Sequence, residues 1–125
     1  MATQNSRKLK MGMVGGGPGS FIGDAHLKAA QLDGLAEITA GAFSQSPEKS
    51  AQRGRELFLA PGRVYGSYRE MIDKELKLPE GERIDFVSIV TPNHAHFSVA
   101  KAFYEAGFNV VLDKPMTLTL KEAKE

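Results

Sequence analysis

The chain has no cysteine, which excludes disulfide frameworks and thiolate metal sites and permits a reducing interior. It also lacks an excess of charge of either sign: 16 lysines and arginines face 15 aspartates and glutamates, a formal net charge of +1. Binding to a phosphate backbone needs a clustered excess of Lys and Arg. Here the basic residues are interleaved with acids, which reads as a solvated surface and argues against a nucleic-acid partner. No apolar run approaches the roughly 20 residues of a membrane span, and the polar opening "MATQNSRKLK" has no secretory apolar stretch. A cytoplasmic protein without membrane attachment is the expectation. The 125 residues, 42% of them hydrophobic and 25% charged, suit one globular domain with a real core and are short for two.

Glycine, by contrast, is plentiful, and its densest cluster, "GGGPGSFIGDAH", follows at once on the apolar run "LKMGMV". That run suits a buried parallel strand over 8–14. Ile22, Ala25, Leu27, Ala29, Ala30 and Leu32 predict a helix over 21–32, and "AEITAGAF" returns to a strand. Ser46 as N-cap, Pro47 at the first helical position and Glu48 in the first turn open a second helix. "RVYG" reads as a short strand. Ser67 and Glu70 stand at capping-box spacing ahead of a third helix, whose Tyr68, Met71, Ile72 and Leu76 share a face. "IDFVSIV" is the most strand-like run, with Phe86, Val87, Ile89 and Val90 apolar on both faces. "TPN" breaks it, a helix carrying Phe97, Ala100, Phe103 and Tyr104 runs to Gly107, and "FNVVL" is the next strand. Thr119 and Glu122 then open a further helix inside which the chain stops, so a fragment of a longer protein is expected.

Strands alternating with helices across short loops indicate βαβ units, hence an α/β domain with a doubly wound parallel sheet. In such a sheet, ligands bind beyond the carboxyl ends of the strands where the strand order reverses. A glycine straight after the first strand permits a tight turn, a second permits close approach to a pyrophosphate, and a third lets helix pack on strand. Gly15 and Gly17 suit the first two roles. The third is due at position 20, which is Ser20, so the strict spacing fails; read backwards from the helix, Gly23 takes the role after a three-residue insertion. A plain strand-to-helix turn and the loop of a methyl-donor-binding enzyme remain open on the glycines alone.

The second strand ends at Ser44, with Gln45, Ser46 and Lys49 nearby. NAD sites usually place a carboxylate there for the ribose 2′-hydroxyl; its absence makes NADP admissible. "VTPNHAH" sets Thr91, Pro92, Asn93, His94 and His96 at another carboxyl end facing the same crevice. Two histidines alone, with no cysteine or sequence-near carboxylate, do not make a metal site, and none is expected. His94 reads as a capping or packing histidine. Asp113 and Lys114 follow the last strand, with Pro115 locking the turn. A lysine aimed into a crevice can hold a carbonyl or hydroxyl oxygen or act as a general acid, whereas on an open surface it would simply pair with Asp113.

Taken together, "TPNHAH" and, a helix and a strand later, "DKP" resemble the T-P-N-x-x-H and E-K-P motifs of the glucose-fructose oxidoreductase, inositol dehydrogenase and MocA-like family of NAD(P)-dependent oxidoreductases. The resemblance runs from about Leu9 to the end. It implies a Rossmann-type domain in three layers (α/β/α) over 8–125, after a flexible tail over 1–7, with an α+β substrate domain absent from these residues. It also implies NAD or NADP as cofactor, with Gly15, Gly17 and Gly23 lining the pyrophosphate, Phe21 and Ile22 near it, and Ser44 by the adenosine ribose. Thr91, Pro92, Asn93 and His96 match the cofactor-contacting segment. Asp113, one methylene shorter than the usual glutamate, matches the residue near the nicotinamide ribose. Lys114 matches the lysine that contacts substrate and nicotinamide and assists proton transfer. A sugar or cyclitol as substrate and a homo-oligomer formed through the missing domain are the implied partners. A sensor or scaffold that keeps the fold without chemistry is the alternative.

Overall fold

The two runs that are apolar on both faces become the centre of the sheet. In the computed structural model, which describes residues 7–114, 117 and 119–125, β1 (Leu9–Gly15) buries Met11 to Val14, and β3 (Phe86–Val90) buries Val87, Ser88 and Ile89. They pair in parallel from Met11↔Phe86 to Gly15↔Val90. β2 (Ala36–Ala42) flanks β1 and β4 (Asn109–Leu112) flanks β3, giving a parallel sheet in the order β2-β1-β3-β4. The chain therefore winds outward from β1 to β2 and then returns to the other side of β1. The order reverses between β1 and β3, and a crevice opens beyond their carboxyl ends.

Among the described residues the helices are α1 (Phe21–Gln31), α2 (Pro47–Glu56), α3 (Tyr68–Leu76), α4 (His96–Glu105) and the short α5 (Leu120–Lys124). Ser20, Ser46, Ser67 and Thr119 each cap one, accepting the N–H three residues on, as small hydroxyl residues do at these positions. At Ser67 the box differs in detail: the Glu70 carboxylate reaches past the cap to the Gly66 N–H at 2.8 Å. Met71 and Ile72 from α3 and Val99 and Phe103 from α4 pack one face of the sheet with Val87 and Ile89. Leu27 of α1 packs the other with Met11, Met13 and Phe43, which makes the arrangement three-layered. Among the described residues no helix is long and apolar enough to cross a membrane.

The structure corrects the sequence reading at two places. "RVYG" is no strand: after a 3₁₀ turn (Pro61–Arg63), Val64 makes one isolated parallel bridge to Gly41. Pro61–Gly62 before it and Gly66 after it leave too little chain for a ladder: the Tyr65 N–H reaches the Gly41 carbonyl of β2 at 2.8 Å, but the Val64 N–H turns back to the Pro61 carbonyl, and the side chains of Arg63 and Tyr65 are drawn elsewhere. The fully buried Glu75 of α3 accepts from Arg63 Nε at 2.8 Å and Nη2 at 2.9 Å, Tyr65 Oη at 2.6 Å and the Ile84 N–H at 2.9 Å. Burial, and then the bond to Glu75, push the Tyr65 phenol well above its ordinary range. The other correction is at the segment "HAHFSVAKAFYEAG", read from the sequence as helix throughout: the chain first makes a 3₁₀ turn (Asn93–Ala95) and α4 starts only at His96, with no side-chain cap among the described residues. Of the expected tail, residues 1–6 lie outside the described residues, as does Pro115. Arg7 pairs through both terminal nitrogens with Asp85, each at 2.8 Å.

Candidate functional site

The glycine cluster forms the loop between β1 and α1, and its path follows from its residues. Pro18 and Gly19 occupy the centre of a turn closed by Ser20 N–H donating to the Gly17 carbonyl at 3.0 Å, with Gly19 at φ +81°. Proline followed by a residue of positive φ is the type II signature. Gly23, in the first turn of α1, is where helix and strand meet: a Cβ there would lie 2.8 Å from Gly16 Cα and 3.0 Å from Ser20 Oγ. A side chain at position 23 would thus collide with the loop, and the Pro-Gly turn lies between Gly17 and that contact. Gly16, which the spacing argument passed over, is the backbone against which Gly23 rests; being the middle of three consecutive glycines was the only signal for it. Among the described residues the Gly17 and Gly19 N–H groups make no hydrogen bond.

The loop floors a cleft of about 760 Å³ at the strand-order reversal. One wall is the end of β2 with Phe43, Ser44, Gln45 and Lys49; Gly66, Ser67 and Tyr68 stand beyond; Val90, Thr91, Pro92 and His94 form the opposite wall. Among the described residues its lining has one ammonium, Lys49, and no carboxylate. Two details of the "TPNHAH" segment matter. Thr91 Oγ1 is buried with no hydrogen-bond partner among the described residues, an unusual state for a hydroxyl. His96 is fully buried, and its Nε2 lies 3.0 Å from the Thr91 carbonyl. A carbonyl only accepts, so Nε2 carries the proton, and His96 fixes the turn that presents Thr91.

The structure brings Gly15, Gly17, Ser44, Thr91 and Pro92 together in the lining, along with His94, which the sequence suggested as a cap or packing residue. Phe21 and Ile22 project from the first turn of α1 and are exposed, and Asn93 is exposed on the 3₁₀ turn. Asp113 and the exposed Lys114 follow β4, outside the lining. Asp113 Oδ1 stands 3.8 Å from His26 Nε2, while His26 Nδ1 is held at 2.6 Å by Ser88 Oγ from β3. Sequence reasoning also missed Arg53, which reaches from α2 to the glycine loop; one of two arginines in a helix of mixed charges carries no sequence mark of that role. Among the described residues no group of three or more His, Asp or Glu could hold a metal ion.

A loop rich in unengaged amides at the start of a helix, at the reversal of a parallel sheet, above a cleft with no carboxylate among the described residues, fits a nicotinamide dinucleotide. Comparison with known proteins agrees. The family described as "Oxidoreductase family, NAD-binding Rossmann fold" (GFO_IDH_MocA) matches residues 9–125. The chain is 39% identical over 121 residues to "Uncharacterized oxidoreductase YfiI" of Bacillus subtilis, covering 96% of this chain and 30% of that protein. It is 33% identical over 104 residues to the UDP-N-acetylglucosamine 3-dehydrogenase of Acidithiobacillus ferrooxidans, covering 82% of this chain and 29% of that protein. Among solved structures, an inositol dehydrogenase homolog from Azotobacter vinelandii complexed with NAD+ superposes with a TM-score of 0.89 at 39% identity, covering 95% of this chain and 30% of that one. The chain thus spans about 30% of the length of these relatives. It belongs to the glucose-fructose oxidoreductase, inositol dehydrogenase and MocA family of oxidoreductases, as the NAD-binding Rossmann domain.

Proposed function

We propose that this domain serves an NAD(P)-dependent dehydrogenase that moves a hydride between the nicotinamide and a secondary carbinol carbon of a sugar or cyclitol. The observation that carries the reading is the cleft at the β1/β3 reversal, floored by the lengthened glycine loop and free of carboxylates among the described residues. The nicotinamide, when bound, supplies the hydride donor or acceptor at its C4. The amides of Gly17 and of the first turn of α1 receive the pyrophosphate, with the helix N-terminus adding partial positive charge. Ser44 meets the adenosine ribose, and Thr91 and Pro92 contact the cofactor from the opposite wall. Phe21 and Ile22 lie beside the pyrophosphate, and Asn93 and His96 complete the segment that contacts the cofactor. Asp113 stands by the nicotinamide ribose, and Lys114 donates to the reacting oxygen and assists its proton transfer. A sugar or cyclitol is supported by the sugar and inositol dehydrogenases among the relatives. With these about three times as long, we assign the substrate pocket and a homo-oligomer interface to an α+β region beyond 8–125, in a cytoplasmic protein. Titrating the chain with NADH, NADPH and S-adenosylmethionine tests the cofactor reading: saturable binding of a dinucleotide is expected, and tight binding of the methyl donor without a dinucleotide response would overturn it. Lys114→Ala in the longer protein tests the chemistry; unchanged turnover would remove the role given to Lys114.

A further inference from the structure

Arg53 is a charged side chain buried to 7% exposure, with partners in the loop, in the first turn of α1 and on its own helix. Its Nε donates to the Gly16 carbonyl at 3.0 Å, Nη1 to Glu56 Oε1 at 3.2 Å, and Nη2 pairs with Asp24 in the first turn of α1. We propose that Arg53 is a positioning residue for the phosphate loop, holding the Gly16 carbonyl away from the cleft and masking the Asp24 carboxylate beside it. The inference rests on the dinucleotide reading of the cleft.

The peptide plane makes the first half of the argument. In a trans peptide the carbonyl of one residue and the N–H of the next point in opposite directions. Anchoring the Gly16 carbonyl to Arg53 therefore fixes the direction of the Gly17 N–H, and Gly17 lines the cleft with that N–H unengaged among the described residues. A loop crowded with glycines has no side chains of its own to set that orientation. Charge makes the second half. An acid in the first turn of a helix favours the helix but repels an anion at the same N-terminus. Asp24 is the acid of that turn, and pairing with Arg53 removes the conflict. A planar guanidinium satisfies acceptors from the loop, from α1 and from its own helix at once; an ammonium lacks that fork.

The experiment compares NADH and adenosine affinities of the 125-residue chain with those of Arg53→Met, Asp24→Asn and the double variant, alongside each melting temperature. Arg53→Met is expected to weaken NADH about 10-fold, because it leaves the Asp24 charge unpaired and the loop untethered. Adenosine, which carries no phosphate, should change by less than about 2-fold, a split that general destabilisation of the domain does not produce. The double variant should recover to within about 3-fold of the original NADH affinity as the repulsion disappears. Equal losses for NADH and adenosine, an unchanged NADH affinity in Arg53→Met, or no recovery in the double variant overturns the proposal. Should Arg53→Met not fold, Asp24→Asn alone decides: equal or tighter NADH binding supports the masking role, and weakening by about 3-fold or more refutes it. Absence of NADH binding by the unsubstituted chain would instead refute the cofactor reading itself.

Discussion

Replacing Gly23 by alanine adds a single methyl group at the tightest contact between α1 and the phosphate loop. Its Cβ would stand 2.8 Å from Gly16 Cα and 3.0 and 3.3 Å from Ser20 Oγ and Cβ. The first contact is backbone, so relief requires α1 or the loop to shift; overpacking of this kind costs about 1–3 kcal/mol. Against this, alanine is a better helix residue than glycine by about 1 kcal/mol. The two effects leave a net loss of about 0–2 kcal/mol in urea unfolding. Cofactor binding has no such offset, because the moved groups are those that meet the pyrophosphate, and NADH affinity should fall at least about 10-fold. Gly62→Ala is the matched control. A Cβ there meets nothing within 4 Å, so the same exchange should stabilise by about 0.5 kcal/mol and leave NADH binding alone. If Gly23→Ala is as stable as Gly62→Ala and binds NADH like the unsubstituted chain, the close-packing role of Gly23 is wrong.

Phe58, 94% exposed at φ +59°, ends α2 in the position that glycine usually fills: its N–H meets the Arg55 carbonyl at 3.1 Å, and Leu59 N–H meets that of Gly54 at 2.9 Å. Phe58→Gly should therefore stabilise the domain by about 1 kcal/mol in thermal melts, since a side chain in the left-handed region costs about 1–2 kcal/mol. Glu75→Leu strands the Arg63, Tyr65 and Ile84 donors that converge on it, and a loss of about 3–5 kcal/mol in urea unfolding is expected. The Arg7 guanidinium, aided by the Lys10 N–H, holds the Asp85 carboxyl below the usual carboxylate range. A depressed folded value stabilises above the unfolded value of about 3.9 and is lost as pH falls through the folded one. The stability gap between the original chain and Asp85→Asn should accordingly be constant near neutrality and narrow below about pH 4. Ser44→Asp places a carboxylate at the end of β2 and should weaken NADPH at least about 10-fold relative to NADH in parallel titrations.

Much of this architecture was legible because it rests on local rules. Serine and threonine caps, apolar runs on both faces of β1 and β3, and Gly107 at the end of α4 each announce themselves within a few residues. The glycine loop was legible in part: Gly15 and Gly17 stood out by spacing and Gly23 by its place at the start of the helix, whereas the role of Gly16 depends on a helix folding back onto it. Long-range polar contacts were not legible at all. Glu75 collects donors from three residues in two segments, Arg53 crosses from α2 to the loop, and His26 bridges Ser88 towards Asp113, none of which periodicity can express. The misread strand at "RVYG" has the same origin, since what holds Arg63 and Tyr65 is a carboxylate on the following helix.

The central claim is that the lengthened glycine loop receives the pyrophosphate of a nicotinamide dinucleotide. Amide resonances of the chain followed during titration with NADH test it directly. The account predicts that the N–H signals of Gly17, Phe21, Ile22 and Gly23 shift together and saturate with those of Ser44 and Thr91, while the N–H signals of Arg69 and Lys101 on the outer helices stay in place. Saturable binding that leaves the loop amides unmoved would contradict it.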